Sequence, residues 1–223
     1  MRNEYARFLV RQKRDKEAEE QFRAGIGTSP SDSALRVEFG CLLSRQRRSK
    51  EAEEQFLAGI KADPKNSHLR NEFGRLLVKT SRLGEAEIQF QSGLAVEPEN
   101  AQLRTEYGRL LGKLGRSKEA ENQFLTGIKS NPRNKFLLTE YGILLARLRR
   151  FPEAESQFRL GVAGHPKDVI LSSQLAKLLL RQRKYPEACE QVRAGLRFHP
   201  RDKYLNEMLI QIRNAGCDCN VVG

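Results

Sequence analysis

Three histidines and four cysteines are the residues of this sequence that could supply nucleophilic, general-base or metal-ligand chemistry. His68 opens an expected helix, while His165 and His199 each precede a proline. None stands with a Ser, Cys or acid at a spacing that builds a nucleophile–base–acid relay. Cys41, Cys189, Cys217 and Cys219 lack the paired spacing of a disulfide framework, so reduced thiols are expected. Cys217 and Cys219 flank one aspartate, but two thiolates in a short tail without a nearby histidine make a poor zinc site. No cofactor or metal is expected, and the chain is not expected to be an enzyme.

The chemistry that does recur is ionic. Glu72, Arg75 and Lys79 stand at i, i+3 and i+7, along one stripe of a helix. The stripe returns as Glu106, Arg109 and Lys113, then as Glu140, Ile143 and Arg147. Upstream it reads Glu4, Arg7 and Arg11, then Glu38, Cys41 and Arg45; the last copy is Gln174, Lys177 and Arg181. Carboxylates beside cations can pair with one another or read the backbone and charges of a polypeptide. More cations follow each stripe, with Arg47 and Arg48, Arg149 and Arg150, and Arg183 and Lys184 forming an expected basic edge.

Bulk composition limits what could carry these stripes. The 223 residues are 39% apolar and 30% charged, with a net charge of +12. That excludes a membrane-embedded or a disordered chain. The start of the sequence turns charged too early for a secretory signal, so the cytoplasm is the expected location. Positive charge invites a nucleic-acid partner, which the placement of the charges must decide.

A single period organises the whole. Phe39–Gly40 returns as Phe73–Gly74, Tyr107–Gly108 and Tyr141–Gly142, each step 34 residues. Gly25, Gly59, Gly93, Gly127, Gly161 and Gly195 keep the same step, as do Pro30, Pro64, Pro98, Pro132, Pro166 and Pro200. No glycine is left over for a phosphate-binding loop outside these rows and the turns. Within one period Leu69, Phe73, Leu76 and Leu77 recur at helical spacing, a polar break follows, and Ala86, Phe90 and Leu94 mark a second helix. Asp32, Asn66, Asn100, Asn134, Asp168 and Asp202 sit where each first helix needs an N-cap. Pro152 and Pro186 suit the first turn of second helices. Gly74 and Ala86 are expected to allow close helix approach, and Gly93 to give Phe73 room.

This pattern, aromatic–Gly, Leu–Leu, Glu–Ala, Gln–Phe, Gly and Pro at a 34-residue step, resembles the tetratricopeptide repeat. The resemblance covers roughly residues 1–202. It implies an all-α, right-handed superhelical solenoid of helix–turn–helix repeats. The units are expected over 1–32 (lacking its helix start), 33–66, 67–100, 101–134, 135–168 and 169–202, with a capping helix over 203–214 and a disordered tail over 215–223. The family's early Trp is replaced by Arg36, Arg70, Arg104 or Leu138, with Leu35, Leu69, Leu103 and Leu137 just before them as substitutes.

The resemblance also implies a concave groove lined by first helices, hence a protein or peptide partner. Expected groove residues are Glu38, Glu72, Glu106 and Glu140, with Arg75, Arg109, Lys177, Arg45, Lys79, Lys113, Arg147 and Arg181. Some relatives hold peptide backbone with asparagines at the Glu positions, or clamp a C-terminal carboxylate with Lys and Asn. A Glu row does not suit an acidic chain end. Nucleic acid on the basic edge is a second reading, weakened because Phe73, Tyr107 and Tyr141 belong to the core and leave no aromatic free for base stacking. A regulatory segment of a longer protein, or self-association through the N-terminal end, is a third. No membrane partner is expected.

Overall fold

The structure, a computed structural model, describes residues 2–216. Among the described residues every regular element is an α-helix: α1 (Arg2–Arg11), α2 (Asp15–Thr28), α3 (Ser33–Arg45), α4 (Ser49–Ala62), α5 (Ser67–Lys79), α6 (Leu83–Val96), α7 (Ala101–Lys113), α8 (Ser117–Ser130), α9 (Lys135–Arg147), α10 (Phe151–Gly164), α11 (Val169–Arg181), α12 (Tyr185–Phe198) and α13 (Lys203–Asn214). The chain divides into two compact units, Met1–Leu110 and Leu111–Gly223. Most of the tail expected to be disordered lies outside the described residues.

Local chemistry starts and stops these helices where the sequence indicates. The six Asx residues all cap first helices: Asp32 accepts from Leu35 N at 3.0 Å, Asn66 from Leu69 N at 2.9 Å and Asn100 from Leu103 N at 3.0 Å. Asn134, Asp168 and Asp202 accept from Leu137, Leu171 and Leu205 in the same way. Each bond satisfies an N–H that the first helical turn leaves without a partner. Pro152 and Pro186 do fall in the first turns of α10 and α12. The turn inside each helix pair places one residue in the left-handed region: Lys13, Arg47, Ser81, Gly115, Arg149 and Arg183, with φ between 59° and 77°.

Packing explains the glycines in pairs. A Cβ on Gly74 would lie 2.5 Å from the Phe90 ring, and one on Gly142 2.5 Å from the Phe158 ring. The first helix therefore gives up its side chain so that a second-helix phenylalanine can lie against its backbone. Four of the second-helix phenylalanines then meet the next aromatic along: Phe22 meets Phe39 at 5.8 Å, Phe56 meets Phe73 at 5.9 Å, Phe90 meets Tyr107 at 6.3 Å and Phe124 meets Tyr141 at 6.1 Å between centroids. These are offset or tilted contacts, which the ring quadrupole favours.

Gly93 serves a different neighbour from the one expected. A Cβ there would meet Leu103 Cδ1 at 2.9 Å, and Gly161 and Gly195 make the same space for Leu171 and Leu205. Phe73 needs no room from Gly93. The leucine that replaces the family's tryptophan enters one residue earlier, and a glycine on the preceding helix accommodates it. This pairing joins the second helix of one 34-residue period to the first helix of the next, and so cannot be read within one period.

The thiol expectation holds at Cys41, which is free, and fails at Cys189, which is disulfide-bonded. Spacing along the chain does not give such a pairing. α13 buries Leu205, Met208 and Ile212. It packs against α11 and α12.

Candidate functional site

In the first unit, the expected groove residues form a charge ladder across neighbouring first helices. Arg7 Nη2 on α1 is 2.9 Å from Glu38 on α3. On α5, Arg75 Nη1 is 2.9 Å from Glu72, and its Nε is 3.7 Å from Glu106 on α7. Arg109 also pairs with Glu106, at 3.3 Å. Cys41 donates its thiol to Glu72 at 3.5 Å, and Lys79 Nζ lies 3.4 Å from Ser44 Oγ. Burial and the nearby Glu72 carboxylate push the Cys41 thiol well above its ordinary range, so it is not a nucleophile at neutral pH. Acids and cations here answer one another. Arg45, the last residue of α3, is exposed. Lys113, at the end of α7, is exposed.

The second unit breaks that ladder. Where α5 carries Glu72 and Arg75, α9 carries Glu140 and Ile143, and α11 carries Gln174 and Lys177. Arg147, Lys177 and Arg181 are exposed and make no ion pair among the described residues. These three cations line one depression together with Ile143, Gln174 and the edge of Phe158. A second depression, between α11 and α13, shares Lys177 and Arg181 with Tyr204 and Glu207.

The basic edge separates into two kinds of residue. Arg48, the residue before α4, binds Glu51 with both arms of its guanidinium at 2.7 and 2.6 Å. It also reaches Glu19 on α2 at 2.6 Å. Arg150 does the same with Glu153 at 2.7 Å and Glu121 at 2.9 Å. Lys184 reaches Glu155 at 2.9 Å. These cations therefore pair with the second helix of the preceding repeat rather than projecting freely into solvent. Arg47, Arg149 and Arg183 are the left-handed turn residues beside them and are exposed.

The clamp sets the carboxyl groups. The hydrogen bond from Arg48 holds Glu19 below the ordinary carboxyl value, against the opposing effect of partial burial. Arg150 does so for Glu121, which also accepts from the Tyr141 hydroxyl at 2.6 Å. Glu155 is partly buried, and Lys184 and Arg159 outweigh that burial to keep it low as well. Sequence reasoning missed this function for the edge. Its signal was present: a cation stands three residues before the repeated glutamate in all six copies, an arginine in five and Lys184 before Glu187 in the sixth.

Sequence reasoning also missed the exposed aromatics, two of which have a lysine over the ring: Lys135 over Phe136 at 5.1 Å and Lys167 over Phe198 at 5.7 Å. Phe136, Phe198 and Tyr204 are all close to half exposed or more. They sit at helix ends, outside the stretch where apolar periodicity marks a core face.

No group of three or more His, Cys, Asp or Glu suited to a metal occurs among the described residues. No helix among them is long and apolar enough to cross a membrane.

Comparison with known proteins gives the architecture its relatives. The tetratricopeptide repeat family model matches residues 37–102 and 105–169. No curated protein matches the chain. A tetratricopeptide repeat protein from Parabacteroides merdae is 20% identical over 96% of this chain and 84% of its own, with a TM-score of 0.73. PilF of Pseudomonas aeruginosa is 16% identical over 94% of this chain and 96% of its own, with a TM-score of 0.74. YrrB, described as a TPR protein with an unusual peptide-binding site, is 20% identical over 83% of this chain and 96% of its own, with a TM-score of 0.57. At such identities the likeness speaks to fold, an all-α solenoid of helix–turn–helix repeats. With the family model matching more than half the sequence, the chain belongs to the tetratricopeptide repeat family.

Proposed function

We propose that this chain is a non-catalytic interaction scaffold that holds a polypeptide segment against its first-helix face. The units are those over 1–32, 33–66, 67–100, 101–134, 135–168 and 169–202, with the helix over 203–214 as a terminal cap. The observation that carries the reading is the group of Arg147, Lys177 and Arg181 around one depression, without ion-pair partners among the described residues. Lys177 stands unpaired at the place where Arg7, Arg75 and Arg109 pair with glutamates, and with Arg147 and Arg181 it is available to a ligand. A peptide-binding relative on the same fold supports a polypeptide partner.

The paired state of Arg48, Arg150 and Lys184 moves weight away from the basic edge and from nucleic acid. Only Arg47, Arg149 and Arg183 remain there for a partner. Capture of a partner by the full chain tests the reading, using one variant with Lys177→Glu and Arg181→Glu and another with Arg47→Glu, Arg149→Glu and Arg183→Glu. Loss in the first variant alone, with nuclease having no effect, supports the groove. Loss in the second alone overturns it.

Two further parts of the proposal have their own supports. Self-association through α1 is favoured by Tyr5 and Phe8, which lie one turn apart and about half exposed. For the location the two cysteines point opposite ways: the free thiol of Cys41 goes with the cytoplasm and the bonded Cys189 with an oxidising compartment, and ready alkylation of Cys189 in freshly lysed cells would favour the cytoplasm.

A further inference from the structure

Three large apolar side chains project into solvent at equivalent places in the second unit. Phe136 on α9 and Ile170 on α11 are each 60% exposed, and Tyr204 on α13 is 47% exposed. Each stands 34 residues from the next, second in its helix. The same place in the first helices upstream holds Ala34, His68 and Gln102, so the row belongs to this unit alone.

The row shares a face with the unpaired cations. On α9, Phe136, Ile143 and Arg147 follow i, i+7 and i+11; on α11, Ile170, Lys177 and Arg181 do the same. Those spacings return to one side of a helix after whole turns. Tyr204 lines one depression with Lys177 and Arg181, which places that end of the apolar row beside the cations. α9 packs on α11 and α11 on α13. Packed helix axes lie about 8–10 Å apart, so the apolar side chains repeat at about that interval. Glu207 lines that depression too and has Lys203 as its ion-pair partner, at 3.8 Å. The free charge of the face is positive.

We infer that the α9–α11–α13 face takes an extended, acidic peptide segment of a partner protein, with apolar side chains at every third residue. A polyproline II strand advances about 9 Å in three residues and returns each third side chain to the same side, which matches the helix interval. Its apolar groups rest on Phe136, Ile170 and Tyr204, and its carboxylates meet Arg147, Lys177 and Arg181. The inference deepens the scaffold reading and rests on it. The Glu row that argued against acidic ligands runs over α3, α5, α7 and α9 and ends with Glu140, since α11 has Gln174 in that place. A single-stranded nucleic acid fits less well, because Ile170 at the centre offers no ring face for a base.

The test uses the full chain and labelled peptides read by fluorescence anisotropy. A Pro–Leu–Glu repeat is the probe, with Pro–Leu–Lys and Pro–Ser–Glu repeats as controls. Binding of the first, weakened about tenfold or more by Ile170→Ser and by Lys177→Glu with Arg181→Glu, supports the inference. Ile170 and the two cations are exposed, and thermal melts confirm that the variants fold. Equal binding of Pro–Leu–Lys, indifference to Ile170→Ser, or stronger binding of an oligothymidylate strand overturns it. If partner capture needs Lys177 and Arg181 yet the peptides do not bind, the ligand class falls and the scaffold reading stands. If capture ignores those residues as well, both fall.

Discussion

Gly74 and Phe90 stand so close that a methyl group on the glycine would come within 2.5 Å of the phenylalanine ring. Phe90 is fully buried and Gly74 lies mid-helix in α5, so neither partner can retreat. The helix accepts a residue of poor propensity because the ring of its partner fills the space.

Gly74→Ala is therefore expected to destabilise the chain by about 1–3 kcal/mol, the usual cost of overpacking a filled core. Gly84 in α6 faces open space, and Gly84→Ala should stabilise by about 0.5–1 kcal/mol. Urea unfolding of the two variants should move in opposite directions. Equal shifts would mean that helix propensity, not the ring, governs Gly74.

The turn residues make a second contrast. Arg149 holds a left-handed backbone at φ 60°, which costs a residue with a side chain roughly 1–2 kcal/mol. Arg149→Gly should recover part of that, and Gly115→Ala should lose a similar amount, since Gly115 occupies the same turn position at φ 77°. Thermal melts decide it; a Gly115→Ala variant as stable as the parent would remove the strain argument.

Tyr141 donates its hydroxyl to Glu121 from a buried position, 2.6 Å away. Burial, together with the Glu121 carboxylate, drives the phenol well above its ordinary value, so it stays protonated. Tyr141→Phe keeps the ring against Phe124 and removes one bond, for an expected loss of about 0.5–1.5 kcal/mol. A loss of several kcal/mol in chemical denaturation would show that the hydroxyl does more than bind Glu121.

Acid should loosen the array through its clamps. Glu19 and Glu121 have carboxyl groups held below their ordinary values by Arg48 and Arg150. A depressed native value contributes stability above the unfolded carboxyl value, about 4.3, and that contribution fades as pH falls toward the native value. Stability should thus be level above about pH 5 and decline below it. Arg150→Gln should lower the plateau and flatten the decline. Parallel melting-temperature profiles for parent and variant would rule out the clamp as the source.

Dilution should dissolve any self-association that runs through Tyr5 and Phe8. Light scattering of the parent is expected to fall with concentration, and Tyr5→Ser with Phe8→Ser should leave a monomer throughout. A scattering mass unchanged by the substitutions would place association elsewhere.

Much was legible before any coordinates. The 34-residue step, the Asx caps and the helix-spaced apolar residues are local signals, because a cap bonds within its own turn and a core stripe repeats within its own helix. They determined the helix–turn–helix array and put Glu72, Arg75 and their equivalents on one stripe. What the sequence could not state is which side chains meet between repeats. That Gly93 receives Leu103, that Arg48 spans to Glu19, and that Cys189 is bonded all depend on contacts between segments far apart in the chain. So does the main functional distinction: whether a glutamate and an arginine answer each other, as in the first unit, or cations stand open beside an apolar row, as around Lys177. Periodicity assigns a residue to a face, and tertiary packing alone decides what that face still has free.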